Sequence, residues 1–229
     1  MSLELMDLHN HTIWSDGIHT ADEIIRNAIK NGVDIIGISD HFDTLKCHSV
    51  LSNILDTYIE KIDELKVKYR NKIKIMAGVE ICMNKNLSRL DELPYDNLNK
   101  LDYILFEYID WFSGSVTLPE LKFYADKFTC RKGLAHTNIF ELMKKYGVDE
   151  VLTILKDNDI FWEINVNPGY EYFDVIMKYR NNPKMESFFN CLKASAIRIT
   201  VGSDTHSLYF YDINRIREGN ELARYNISF

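Results

Sequence analysis

VDIIGISDH, residues 33–41, decides the fold of this chain. The run Val33 to Ser39, interrupted only by Asp34 and Gly37, reads as a strand apolar on both faces, as in a parallel sheet covered by helices. It ends on Asp40-His41. An acid and an imidazole at the end of a buried strand require partners, because an unpaired charge taken out of water is costly.

The same design recurs outward from this stretch. Candidate strands run from Leu5 to His9, Ile73 to Val79, Asp102 to Tyr108, Gly133 to His136, Phe161 to Asn165 and Ile197 to Gly202. Most of them end in or just before histidines and carboxylates: His9-Asn10-His11, Glu80, Ala135-His136 and Asp204-Thr205-His206. Helical periodicity fills the intervals: Thr20 to Asn31, opened by a Thr20-x-x-Glu23 capping pattern, then Asn53 to Arg70, Pro119 to Phe128, Asp149 to Asp157, and Tyr170 to Leu192 broken near Pro183. Strands alternating with helices, with no antiparallel meander, predict an α/β fold of the distorted seven-stranded (β/α)7 TIM-like barrel type. Barrels of this kind build their active sites where the candidate ligands fall, at the C-terminal ends of the strands.

At 229 residues, without a linker-like or low-complexity stretch, the chain is expected to form a single domain over residues 1–229. The acidic start and the absence of an apolar run near ~20 residues predict a cytoplasmic protein with no membrane partner. A net charge of -7 argues against a stable nucleic-acid partner, whereas bound cations would reverse the local field and admit a small phosphorylated substrate. The four cysteines, Cys47, Cys82, Cys130 and Cys191, form no Cys-x-x-Cys pair and read as reduced thiols.

Imidazole and carboxylate together suit zinc, manganese and iron. His9 and His11 leave the same face of an extended segment, and Asp204 and His206 repeat that geometry. A carboxylate can bridge two cations where a histidine cannot, so Glu80 is the expected bridge. Trp14, Tyr108, Trp111, Phe112 and Tyr170 read either as a base-stacking surface or as core and pocket walls.

Taken in order, His-x-His, Ser-Asp-Gly, Asp-His, Gly-Val-Glu, Ala-His and Ser-Asp-x-His resemble the PHP family, the polymerase and histidinol phosphatase domain, from residue 7 to about residue 206. The resemblance implies a phosphoesterase with two to three divalent metal ions (Zn, Mn or Fe) that activate water between them. It implies His9, His11, Glu80 and Asp204 at a first ion, Glu80 and His136 at a second, and Asp16, His41 and His206 at a third. Glu80, Asp204 and His206 would carry catalysis, with Asp40 orienting its neighbours. In the family a histidine often follows the fourth strand; by register that position is Ile109 here, which cannot ligate. Glu107, two residues earlier on the same face, either supplies an oxygen ligand or pairs with a basic residue.

Substrate contacts are expected from Lys46 and Arg89, in loops after strand ends, and from Asn165, which shares with Glu163 a strand face that resembles a pocket-lining stretch of the family. The reading is a phosphatase for a small monoester such as histidinol phosphate or a nucleotide. Its alternatives are a phosphodiesterase or exonuclease, and a non-catalytic metal-binding domain.

Overall fold

Parallel strands alternate with helices throughout the computed structural model, which describes residues 4–223. Seven strands pair in chain order: β1 (Met6–Asp7), β2 (Ile35–Phe42), β3 (Lys74–Cys82), β4 (Tyr103–Glu107), β5 (Arg131–Leu134), β6 (Ile160–Asn165) and β7 (Ile199–Gly202). Beyond the short β1, Leu8 N–H donates to the Val201 carbonyl at 2.8 Å and His11 N–H to the Thr205 carbonyl at 2.9 Å, which draws the last strand against the first. The result is the expected (β/α)7 barrel.

The helices are α1 (Ala21–Lys30), α2 (Leu55–Tyr69), α3 (Tyr95–Leu98), α4 (Leu118–Ala125), α5 (Ile139–Tyr146), α6 (Val148–Asp157), α7 (Glu171–Tyr179), α8 (Pro183–Ala194) and α9 (Ile213–Ala223). α1 shows how sequence sets these boundaries. Thr20 Oγ1 accepts from Glu23 N–H while Glu23 Oε2 accepts from Thr20 N–H, satisfying donors that the helix start leaves orphaned. Ile24, Ile25 and Ala28 then form the buried stripe. None of the described helices is long and apolar enough to cross a membrane.

The core is aromatic and aliphatic, with Tyr58, Tyr103, Phe42, Phe106, Phe161 and Trp162 fully buried. Burying each such side chain contributes on the order of 2 kcal/mol. Tyr103 crosses the interior from β4 and its hydroxyl donates to the Leu8 carbonyl at 2.6 Å. Gly37 and Gly78 leave it room, since a Cβ on Gly78 would lie 2.4 Å from the ring carbon Cζ of Tyr103. One side chain thereby ties β4 to the start of the sheet, beneath the site.

The strands differ from the sequence reading in extent. β2 and β3 continue through Asp40-His41 and Glu80, whose backbones remain paired in the ladder at His41↔Glu80. The expected Thr20 to Asn31 and Asn53 to Arg70 helices become α1 and α2, the latter entered by a short 3-10 turn at Ser52–Ile54. The Tyr170 to Leu192 segment breaks near Pro183 as expected, into α7 and α8, while α3, α5 and α9 were not expected.

Candidate metal centre

At the C-terminal rim of the barrel, every strand or the loop just after it contributes to one cluster of imidazoles and carboxylates. His9, His11, His41, Glu80, Glu107, His136 and Asp204 are all buried, and Asp16 and His206 close the cluster on the solvent side. His9 Nε2 lies 3.0 Å from His11 Nε2, and His11 Nε2 lies 3.1 Å from Asp204 Oδ1. Glu80 sits at the centre. Its Oε1 is 2.8 Å from His136 Nε2 and 3.4 Å from His9 Nε2, while its Oε2 is 2.9 Å from His41 Nδ1 but out of line for a hydrogen bond. On the outer side, Asp16 reaches His206 at 3.3 Å and His41 at 3.5 Å.

The chemistry of this donor set fits divalent cations. Buried polar atoms are normally hydrogen-bonded. Here Nδ1 of His11, His41 and His136 and Oε2 of Glu80 have no such partner, although all are shielded from water. Three overlapping groups bring their ligand atoms within 4.8 Å of one another: His9, His11 and Glu80; His41, Glu80 and Glu107; and His11, Asp16, His41 and His206. His11 and His41 thus serve more than one group, which the residue-by-residue resemblance did not imply. His136 joins none of these groups directly and approaches through Glu80.

The outer partners of the imidazoles fix which nitrogen is free. Glu163 Oε1 lies 2.8 Å from His9 Nδ1, and because a carboxylate can only accept, the proton sits on Nδ1 and Nε2 faces the cluster. The other oxygen of Glu163 accepts from His136 N–H at 2.7 Å. His206 Nδ1 likewise donates to the Asp204 carbonyl at 3.0 Å, aiming Nε2 at Asp16. Glu163 was legible in sequence only as a pocket-lining residue. A carboxylate two positions before Asn165 on one strand face was the available signal.

Electrostatics follow from burial and from this crowding. Burial opposes charge on His9, but Glu163, Glu80 and Asp204 outweigh it and hold the ring well above its ordinary pKa. His41 and His136 are raised against burial by Glu80, as is His206 by Asp16. His11 goes the other way: burial, with the positive rings of His41 and His9, pulls it down to about 3. Burial likewise opposes ionisation of Glu80 and Asp204, yet the surrounding imidazoles hold both carboxyls well below the usual range. Metal-free, the site is a mesh of carboxylates and imidazolium, with protons where cations would go.

Backbone strain concentrates here too. His136 (φ 32°) and Asp204 (φ 52°) adopt left-handed conformations that cost non-glycine residues about 1 kcal/mol or more each. Asp204 follows Ser203, whose N–H and Oγ–H both donate to the buried Asp7 carboxylate, at 2.8 and 2.9 Å. The Asp40 carboxylate makes no hydrogen bond to the imidazoles or carboxylates of the cluster. Its oxygens accept from Thr12 N–H, Thr12 Oγ and Ser15 Oγ, holding the turn that carries Asp16. Asn165 Nδ2 donates to Glu163 Oε2 at 3.1 Å and so supports the His9 partner from behind.

The two basic residues expected to meet substrate are placed differently. Lys46 Nζ donates to both oxygens of Glu107, at 3.0 and 2.8 Å, because the buried carboxylate offers it a stronger partner than solvent. Arg89 is not brought to the cluster. Its side chain is 85% exposed and pairs with Glu92, beside a separate cavity that includes Lys85 and Leu93. Around His136, Tyr170 stacks at 4.7 Å and Trp111, 54% exposed, meets the edge of both rings. A cavity of about 400 Å³ opens beside Asp16, Asp204 and His206.

Known proteins resemble this chain to different extents. The chain is 27% identical to the DNA polymerase/3'-5' exonuclease PolX of Bacillus subtilis over 71% of its length, but spans only 29% of that protein. It is 24% identical to a probable phosphatase of Acetivibrio thermocellus, over 88% of this chain and 79% of that one. The crystal structure of a Lactococcus lactis histidinol phosphate phosphatase, complexed with zinc, L-histidinol and phosphate, aligns with a TM-score of 0.65 at 20% identity, over 97% of this chain and 94% of the other. Residues 7–167, which carry His9 through His136 and the Glu163 partner, match the PHP domain, and the chain belongs to that family.

Proposed function

We propose that the protein is a metal-dependent phosphoesterase that hydrolyses a small phosphate monoester, using at least two neighbouring divalent ions of the zinc, manganese or iron class. The observation that carries this reading is the set of buried imidazole and carboxylate atoms around Glu80 that make no hydrogen bond. Burying such a set without cations is costly. The names of the Acetivibrio and Lactococcus relatives support phosphate chemistry.

The chemistry supplied by divalent ions in such a site is Lewis acidity, which lowers the pKa of water and neutralises phosphate oxygens. The protein's own part is orientation. Glu163 fixes the proton of His9 on Nδ1, leaving Nε2 as a lone-pair donor. Glu80 lies between His9, His41 and His136 and joins the inner groups through its two oxygens. His206 and Asp16, both part-exposed, form the edge that substrate meets first. Tyr170 and Trp111 offer an aromatic wall to the organic part of the ester.

Diester hydrolysis is the second reading, favoured by the similarity to the Bacillus polymerase/exonuclease. Phosphate release from p-nitrophenyl phosphate compared with nitrophenol release from bis(p-nitrophenyl) phosphate separates the two. Faster turnover of the monoester is expected; a preference for the diester, or for single-stranded oligonucleotides, would favour the second reading.

A further inference from the structure

Of the three overlapping ligand groups, the one built from His41, Glu80 and Glu107 differs from the others in having a cation of the protein's own already against it. Lys46 reaches in from the loop after β2. Its ammonium binds both oxygens of the fully buried Glu107 at 2.8 and 3.0 Å and lies 4.9 Å from the centre of the Tyr108 ring. Carboxylate on one side and aromatic face on the other fix it in place. The lysine side chain is itself only 23% exposed. Beyond β4, Ile109 is buried and apolar and brings no donor to this side of the site.

We propose that the Lys46 ammonium is the resident cation of this part of the centre. It stands in for a divalent ion at the Glu107 group, so that the protein holds metal only at the His9–His11–Glu80 group and the His11–Asp16–His41–His206 group. A transition-metal ion lies ~2.1 Å from a carboxylate oxygen that ligates it. At Glu107 such an ion would sit within a few ångströms of the ammonium held on the same oxygens, and two like charges that close repel strongly where water is excluded. Glu107 therefore serves one cation or the other, and its geometry is that of an ammonium clamp. A phosphoryl group bound between the two metal groups would meet Lys46 as its third positive neighbour.

The inference rests on the metal-centre reading but not on which ester is cleaved. The test is elemental analysis of the full chain after stripping, reconstitution with excess zinc or manganese, and removal of free metal. Two equivalents are expected in the wild type and about three in Lys46→Met, where Glu107 is released. The double variant Lys46→Met/Glu107→Gln should return to two. Three equivalents in the wild type, or an unchanged count in folded Lys46→Met, would overturn the proposal. If Lys46→Met does not fold, anomalous scattering from the reconstituted wild-type crystal decides: a metal peak bonded to Glu107 overturns it, and peaks only at the two other groups support it. Catalysis enters none of these outcomes, so an inactive enzyme and a wrong ion count are separate results.

Discussion

Glu163 is the residue whose role is most exposed to test, because it touches the centre only through others. It holds His9 by one oxygen and the backbone N–H of His136 by the other. Glu163→Gln keeps the size but can present an N–H to one of these two donors, and metal affinity is expected to fall about 10- to 100-fold in competition with a chromogenic chelator. An unchanged affinity would remove Glu163 from the account. Proton balance offers a second test. His9, His41, His136 and His206 are held above their ordinary pKa by neighbouring carboxylates, so the metal-free site is protonated near neutrality. A cation must displace those protons. Metal uptake at pH 7 should then release protons, and affinity should climb as pH rises. Without metal the sign for stability reverses: groups with raised folded-state pKa values stabilise most below the unfolded value of about 6.5 and lose that contribution as pH rises through the folded one. Calorimetric titration in two buffers of different ionisation enthalpy measures the release; identical heats in both would contradict it.

At the scale of elements, the barrel depends on Tyr103 being seated beneath the site. Gly78→Ala would drive a methyl into its ring, and overpacking of this kind should cost about 1–3 kcal/mol, read as a lower urea midpoint. A midpoint equal to wild type would mean that the ring moves aside freely. The alternation of strand and helix was legible because each apolar run has its own turn signals and each ligand cluster marks a strand end. Lengths were less legible. Asp40-His41 and Glu80 look like strand terminators by polarity, yet in a barrel their backbones stay paired on the ladder while their side chains serve the rim. α9 escaped notice for a related reason: its buried face contains Asn220, which is polar in sequence but clamps the Met6 backbone by accepting from its N–H at 3.0 Å and donating to its carbonyl at 2.8 Å. α5 carried a readable signal in Asn138 at its N-cap and Gly147 at its end. Among site residues, the imidazoles and carboxylates were legible by type and position. The Lys46–Glu107 pair was open in sequence, because a loop lysine acquires its partner only when the loop folds over the rim. Arg89, chosen on the same grounds, remains in solvent.

For the whole molecule, one ring of strands gathers the candidate ligands from residue 9 to residue 206, so fold and centre are coupled. A net charge of -7 spread over the chain coexists with a rim where carboxylates outnumber fixed cations, which suits a protein that takes up metal and then a phosphorylated anion. The central claim is that phosphate chemistry at this rim depends on bound cations. The measurement that tests it most directly is phosphate release from p-nitrophenyl phosphate by metal-loaded protein, by the same protein after chelation, and by Asp204→Ala. The account predicts turnover that falls by about 100-fold or more on chelation, returns on adding zinc or manganese, and is absent in Asp204→Ala. Release that ignores the chelator, or a metal-loaded protein that releases no phosphate, would contradict it.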